Sequence, residues 1–394
     1  MATLVNAPLE TITFVQNATT GVNVVLRNLE YESGDVILTC ENIYGACDKT
    51  VQYLCQTTSV ESVHYTPTLP LTEDDLVAGF EAKIRQIASE SGGKRRVKVA
   101  LFDAISSMPA ARWPWERLVQ VCKANGVLSC IDGAHGIGAI DLDLTKSDPD
   151  FFVSNCHKWV GSYSLLSSRY PYLMDDIVLA PRWLFVPKSC AIFYVPVRNQ
   201  HMMRSTLPTS FGLVSPLNTA DSSIRAGTPV GDSHYINNFS YYGTLDNSSL
   251  YCIPEAIRFR QEVCGGEQAI REYSRRLAWD GAKVIADMLK TRVLSLPSTD
   301  SPMANLLLPL DFDDEGKLMV DSKSTSTTFG QTIDWLGRTM AKRYNTFMAI
   351  MAYQGSLWIR TSGQVYLELD DFVEAGRMLK TLCEEIGSGA IVTA

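Results

Sequence analysis

Leu128-Ser129-Cys130-Ile131-Asp132-Gly133-Ala134-His135-Gly136-Ile137-Gly138, followed by Phe151-Phe152-Val153-Ser154-Asn155-Cys156-His157-Lys158-Trp159, is the stretch on which the reading of this chain turns. In each half an apolar, β-prone run ends in functional groups. Residues 128–131 deliver Asp132, and residues 151–154 deliver Asn155, His157 and Lys158. A carboxylate and a lysine at two neighbouring strand ends can face one pocket. Such a pair suits an aromatic cofactor held by a salt bridge at one end and an imine at the other.

Working outward, strand-like and helix-like runs alternate through the first 200 residues, which predicts a βαβ-built, mainly parallel sheet. Residues 97–102 form an apolar run interrupted only by Lys98 and end at Asp103-Ala104-Ile105-Ser106-Ser107. Ligands of parallel sheets sit beyond the carboxyl ends of the strands, so Asp103, Ser106 and Ser107 are placed to line a site. Three successive strand ends therefore present polar groups on one edge: Ser106/Ser107, Asp132/His135 and Asn155/His157/Lys158. Pro114 marks the first turn of a helix over residues 115–125, closed by Gly126. Residues 72–91 read as a helix with Leu76, Phe80, Ile84 and Ile87 on one face. Residues 36–39 read as a strand followed by a turn over residues 40–47. There Tyr44 is placed either to lie on a flat ligand or to be half-buried packing. In Asn17-Ala18-Thr19-Thr20-Gly21, Asn17 caps a helix. Its N-terminus, with Thr19 and Thr20, offers N–H groups, hydroxyls and the helix dipole to an anion. Taken alone, the segment is also an ordinary capped helix.

Composition narrows the class. The 394 residues suffice for two domains, and 46% hydrophobic with 20% charged content describes a folded globular chain. A net charge of −8 leaves no basic surplus for nucleic acid or an anionic membrane. No apolar run approaches the roughly 18 residues of a membrane span, and the first residues lack a signal-peptide plan. The ten cysteines contain no C-x-x-C pair, which points away from a zinc site or disulfide framework and toward buried thiols in a reducing compartment. A cytoplasmic enzyme without nucleic-acid or membrane partners is the expectation.

The order Asn17-Ala18-Thr19-Thr20-Gly21, Ile131-Asp132-Gly133-Ala134-His135-Gly136 and Cys156-His157-Lys158-Trp159 resembles the class V aminotransferase superfamily of pyridoxal-phosphate enzymes. Within it, the chain is similar to the branch of isopenicillin N epimerase, fungal hercynylcysteine sulfoxide lyase and the loline-biosynthesis enzyme. Trp183-Leu184-Phe185-Val186-Pro187-Lys188, Gly243-Thr244-Leu245-Asp246 and Trp358-Ile359-Arg360-Thr361-Ser362-Gly363 extend the likeness over nearly the whole chain. The resemblance implies an α/β chain of pyridoxal-phosphate fold type I. Its large domain, residues 1–250, would hold a mainly parallel central sheet flanked by helices, and residues 251–394 would form a smaller C-terminal α+β domain. It implies pyridoxal 5′-phosphate as cofactor and a homodimer with shared active sites. Lys158 would form the Schiff base and shuttle the α-proton, Asp132 would pair with the pyridinium nitrogen and His135 would reach the ring 3-oxygen. Tyr44 would stack on the ring, while Thr19, Thr20, Asn155 and His157 would hold the phosphate. Thr244 would add a phosphate contact from the neighbouring subunit, and Arg360 would clamp the carboxylate of an amino-acid substrate. No metal site is implied. The expected reaction is carbon–sulfur lysis of the hercynylcysteine sulfoxide type. Amino-acid epimerisation or another secondary-metabolite reaction at the α-carbon is the alternative.

Two departures modify this expectation. The family carries a longer segment before the Asn-Ala-Thr motif, so part of that segment is expected to be missing here. Residues 160–182 intervene where the family passes almost directly from His-Lys-Trp to Leu-Phe-Val-Pro. They read as a loop or as translated intron sequence, which makes an inactive homologue the rival from a different class. Further on, residues 221–229 read as an active-site loop. Residues 254–263 and 267–290 read as helices, the second with Ile270, Tyr273, Leu277, Val284 and Met288 on one face and Gly281 admitting a close neighbour.

Overall fold

The computed structural model describes residues 1–40, 43–157, 185–206, 234–240, 245–389 and 391. Lys158, the 160–182 insertion, the 221–229 loop and Thr244 lie outside them. The chain divides into two compact units. One comprises residues 1–107, 113–157 and the described residues up to 256, and the other comprises residues 108–112 and 257 onward.

In the first unit the elements follow as β1 (Ile12–Val15), α1 (Ala18–Asn28), β2 (Asp35–Cys40), α2 (Gly45–Thr57), β3 (Glu61–Tyr65), α3 (Glu73–Glu90) and β4 (Arg96–Asp103). Then come α4 (Trp115–Ala124), β5 (Leu128–Asp132), α5 (Leu144–Ser147), β6 (Phe151–Asn155), β7 (Ala191–Tyr194), α6 (His234–Ser240) and α7 (Ser248–Tyr251). The strands make one sheet in the order β1-β7-β6-β5-β4-β2-β3. Pairing is parallel from β6 through β3, and only β7 runs antiparallel, between β6 and β1. Every residue of β2, β6 and β7 is buried, as a sheet covered on both faces requires.

Local chemistry sets the helix limits. Thr72 stands outside α3 as its cap, accepting the Asp75 N–H at 3.1 Å, so the expected 72–91 helix begins one residue later. Pro114 is likewise the residue before α4 rather than part of its first turn. The turn expected over residues 40–47 is a larger difference. Gly45 to Cys47 are the first turn of α2, whose buried Cys47, Val51 and Leu54 recur at helical spacing.

The second unit follows α8 (Ile253–Glu262), whose first four residues still belong to the first. It contains α9 (Glu267–Leu289), β8 (Met303–Leu307), β9 (Lys317–Val320), β10 (Lys323–Thr328), α10 (Phe329–Tyr344), β11 (Ala349–Tyr353), β12 (Ser356–Ser362) and α11 (Leu369–Gly387). β12 is the middle strand of an antiparallel sheet ordered β11-β12-β8, and β9 and β10 form a separate ribbon. One core joins Leu277, Ile285, Leu306, Ile359, Phe372 and Leu379 from both helices and the sheet. The expected α9 face holds at Ile270, Leu277 and Gly281, which are buried, but Val284 and Met288 are only half-buried, and Ala278, Ala282 and Ile285 take their place in the core. Small residues win because α11 comes close. A Cβ on Gly281 would lie 2.2 Å from Phe372 Cδ1. Among the described residues no helix is long and apolar enough to cross a membrane.

Candidate active site

The carboxyl ends of β4, β5 and β6 are adjacent in the sheet, and they bring Asp103, Asp132 and Asn155 to one edge. Asp132 is 3% exposed, and both its oxygens are engaged. Oδ1 accepts the Ala134 N–H at 2.9 Å, and Oδ2 accepts the Cys47 S–H at 3.4 Å. The following turn is pinned to β6: the Gly133 N–H donates to the Val153 carbonyl at 2.7 Å, and Ser154 Oγ bonds the Gly133 carbonyl while accepting the Ile137 N–H at 2.9 Å. A Cβ at Gly133 would fall 2.3 Å from Phe152 Cζ, so only glycine lets this turn sit so low on the strand. The same turn buries His135, whose Nδ1 lies 3.4 Å from the Ile105 carbonyl oxygen.

On the other side of Asn155, helix α1 points its N-terminus at the strand end. Asn155, 7% exposed, accepts the Ala18 N–H through Oδ1 at 2.8 Å. Asn17 caps the helix, taking the Thr20 N–H at 2.8 Å and the Thr20 hydroxyl at 3.1 Å. Thr20 is thereby committed to the cap. Among the described residues nothing takes the Thr19 N–H or its hydroxyl, which leaves two donors at a positive helix end. Gly21 lets α1 approach this closely, since its Cβ would stand 2.6 Å from a Val153 methyl. His157, half-buried, is anchored by Nδ1 against the Cys190 backbone, 2.6 Å from the carbonyl oxygen and 3.0 Å from the nitrogen.

Tyr44 precedes α2 and is 46% exposed; its carbonyl accepts the Cys47 N–H at 2.8 Å. It therefore stands one helical turn from the thiol that meets Asp132. Burial, reinforced by Asp132 and Asp103, pushes the Cys47 thiol far above its ordinary range, so it stays protonated and serves as a donor. Arg360 belongs to the second unit, on β12 between Ala349 and Asn305 of the flanking strands. Burial lowers its pKa to about 10.

The structure thus brings Asp132, His135, Asn155, His157 and the Thr19/Thr20 helix end together on the first unit's sheet edge. Cys47, Ser154 and Gly21 were not singled out by sequence. Cys47 lay in a stretch read as a turn. The spacing of Cys47, Val51 and Leu54 was the signal that would have placed it on a buried helix face.

A family model described as aminotransferase class-V matches residues 1–163. The L-cysteine desulfhydrase-like protein lolT1 of Epichloe uncinata is 37% identical, aligned over 98% of this chain and 83% of that protein. The hercynylcysteine sulfoxide lyase of Schizosaccharomyces pombe is 27% identical over 97% of this chain and 82% of its own length. Among solved structures, a cysteine desulfurase from Thermococcus onnurineus NA1 superposes with a TM-score of 0.66 at 13% identity, covering 97% of this chain and 82% of that one. That likeness gives the fold, an α/β chain of pyridoxal-phosphate fold type I.

Proposed function

The chain belongs to the aminotransferase class-V family, and on that premise we propose that it is a pyridoxal-phosphate-dependent carbon–sulfur lyase acting on a sulfur-substituted cysteine. The observation that carries the reading is Asp132: a buried carboxylate fixed at both oxygens at the end of β5, on the edge where β6 delivers Asn155 and α1 its N-terminus. This donor set fits a ligand with a basic ring nitrogen at one end and a phosphate ester at the other. The buried anion suits the first, and the uncommitted Thr19 donors at a helix N-terminus suit the second.

When bound, pyridoxal phosphate supplies an electron sink that acidifies the α-proton of an amino acid. Lys158 would hold the cofactor covalently through Nζ and carry that proton. Asp132 would keep a proton on the ring nitrogen, because a fixed buried carboxylate stabilises a cation beside it. His135 would meet the ring 3-oxygen, and Tyr44 would cover one face. Thr19 would donate to the phosphate directly. Thr20 and Asn155 would act on the phosphate side through the bonds that hold α1 in place, with His157 beside them. Thr244 would reach the phosphate from the neighbouring subunit of a homodimer, and Arg360 would bind the substrate carboxylate. Loss of the α-proton and of the sulfur substituent at Cβ leaves 2-aminoacrylate, which water hydrolyses to pyruvate and ammonia, while the substituent departs with its sulfur and a proton. The relatives named for cysteine desulfhydration and sulfoxide lysis support sulfur, rather than nitrogen or carbon, as the group cleaved. The enzyme would work in the cytoplasm.

Purified protein should take up pyridoxal phosphate with the absorbance of a covalently bound cofactor, and Lys158→Ala should abolish it. Cysteine S-conjugates, a cysteine sulfoxide first, should then release pyruvate. Cofactor uptake with no pyruvate from any conjugate would overturn lysis, and exchange of the α-proton without cleavage would select epimerisation instead.

A further inference from the structure

The thiol of Cys47 is buried against the one carboxylate on which the proposed chemistry most depends. Its Sγ lies 3.4 Å from Asp132 Oδ2, an ordinary S–H···O separation, and both side chains are almost wholly removed from water. The contact joins residues 85 positions apart, from the first turn of α2 to the end of β5. We propose that Cys47 is a positioning residue for Asp132: its S–H orients the carboxylate and limits the negative charge that Asp132 offers to the ring nitrogen of the cofactor. The inference rests on the pyridoxal-phosphate reading above.

Four points lead to it. An ionised carboxylate has about four lone-pair positions, and those of Asp132 are partly taken by one donor on each oxygen, Ala134 N–H and Cys47 S–H. With two donors from two different elements, the carboxylate plane cannot rotate, yet each oxygen keeps capacity for an incoming cation. Second, another carboxyl group stands beside it among the neighbouring titratable groups. Asp103 is the register partner of Asp132 on β4, Cys130 lies two residues back on β5 and His135 follows in the next turn. A donor is therefore more useful at this position than another acceptor. Third, a thiol is a weak donor: it steers the carboxylate without neutralising it, as a hydroxyl or ammonium there would do more strongly. Fourth, the Cys47 N–H is bonded to the Tyr44 carbonyl at 2.8 Å, so the turn that carries the thiol also carries the tyrosine assigned to the ring face. A cysteine kept only for packing would need none of this geometry.

The donor strength at this position is the quantity to vary. Cys47→Ser replaces the thiol by a stronger donor, and Cys47→Ala removes the donor. In protein loaded with pyridoxal phosphate, the pH midpoint of the cofactor absorbance should move in opposite directions in the two variants, by about half a unit or more each. Infrared difference spectra of cofactor-free protein supply a second reading. Subtracting Cys47→Ala from the parent should isolate an S–H stretch displaced from that of a free thiol, and Asp132→Asn should shift this band. Shifts of equal sign, no shift, or an S–H band indifferent to Asp132→Asn would overturn the proposal. If Cys47→Ala does not fold, Cys47→Ser, which also lacks the S–H group, supplies the subtraction. Parent protein that shows the displaced band but takes up no cofactor would overturn the proposed function while upholding the thiol–carboxylate pairing.

Discussion

Gly21→Ala should destabilise the protein although it places a better helix former inside a helix. In an exposed helix interior the exchange gains about 1 kcal/mol. Here the new Cβ would stand 2.6 and 2.8 Å from the two methyls of Val153 and 3.3 Å from its Cβ. Ordinary contact begins near 3.4 Å, so α1 or β6 must yield by most of an ångström. Val153 offers little give: it is fully buried, paired in register with Asp132, and its carbonyl holds the Gly133 N–H at 2.7 Å. Overpacking of this kind costs about 1–3 kcal/mol, which cancels the propensity gain and leaves a net loss of up to about 2 kcal/mol. Displacing α1 would also move the Asn155–Ala18 bond and the Thr19 donors, so cofactor affinity should fall with stability. Val153→Ala alone should cost about 1.5–3 kcal/mol through lost burial. In the double variant the new methyl occupies space the valine vacated. The pair should therefore cost less than the sum of the singles, by roughly 0.5 kcal/mol or more. Urea unfolding of the four proteins, followed by cofactor titration, measures the cycle. A Gly21→Ala protein more stable than the parent by the full propensity gain, or strictly additive losses, would refute the close approach of α1 to β6.

Asn155→Ala strips the acceptor from the Ala18 N–H and should cost about 1–3 kcal/mol in urea unfolding, with weaker cofactor binding measured by titration. Asp148 gives a pH test. Burial raises its pKa, but hydrogen bonds from Lys123 and Arg198 outweigh this and hold it below the ordinary carboxylate value. A depressed folded pKa means stability that is present above the unfolded pKa and lost as pH falls through the folded one. The melting-temperature gap between the parent and Asp148→Asn should therefore be present at neutral pH and close below about pH 4. The gap should be small, since the pair is more than a third exposed; asparagine tolerates the left-handed backbone at this position. Alkylation of the folded protein, read by peptide mass mapping, should reach Cys55, Cys252 and Cys264, and the remaining seven cysteines only after unfolding.

What sequence revealed and what it did not divide along the range of the interactions involved. Caps are local, so Asn17 could be recognised from its immediate neighbours, and the structure places it outside the helix it closes, whereas Thr72, read as helical, proves to be the cap of α3. Buried strands ending in Asp103, Asp132 and Asn155 were equally visible as apolar runs closed by a polar residue. The start of α2 was obscured by Tyr44-Gly45, a pair that suits a turn, although Gly45 opens a 13-residue helix. On α9 the large residues Val284 and Met288 yield the buried face to Ala278 and Ala282, because a close neighbour selects small side chains.

Sequence by itself determined the class of the fold, the order of the strand ends and the polar residues that close them. These depend on period, propensity and motif order, which a linear chain carries openly. Tertiary structure alone decided that Cys47 donates to Asp132, that Asn155 takes the first N–H of α1, and that Gly21 marks a close contact. Each of these pairs residues far apart in the chain, at distances set by strand order and side-chain packing. In the Leu128–Asp132 strand both kinds of information meet: the chain supplies the carboxylate, and folding supplies the two donors that hold it.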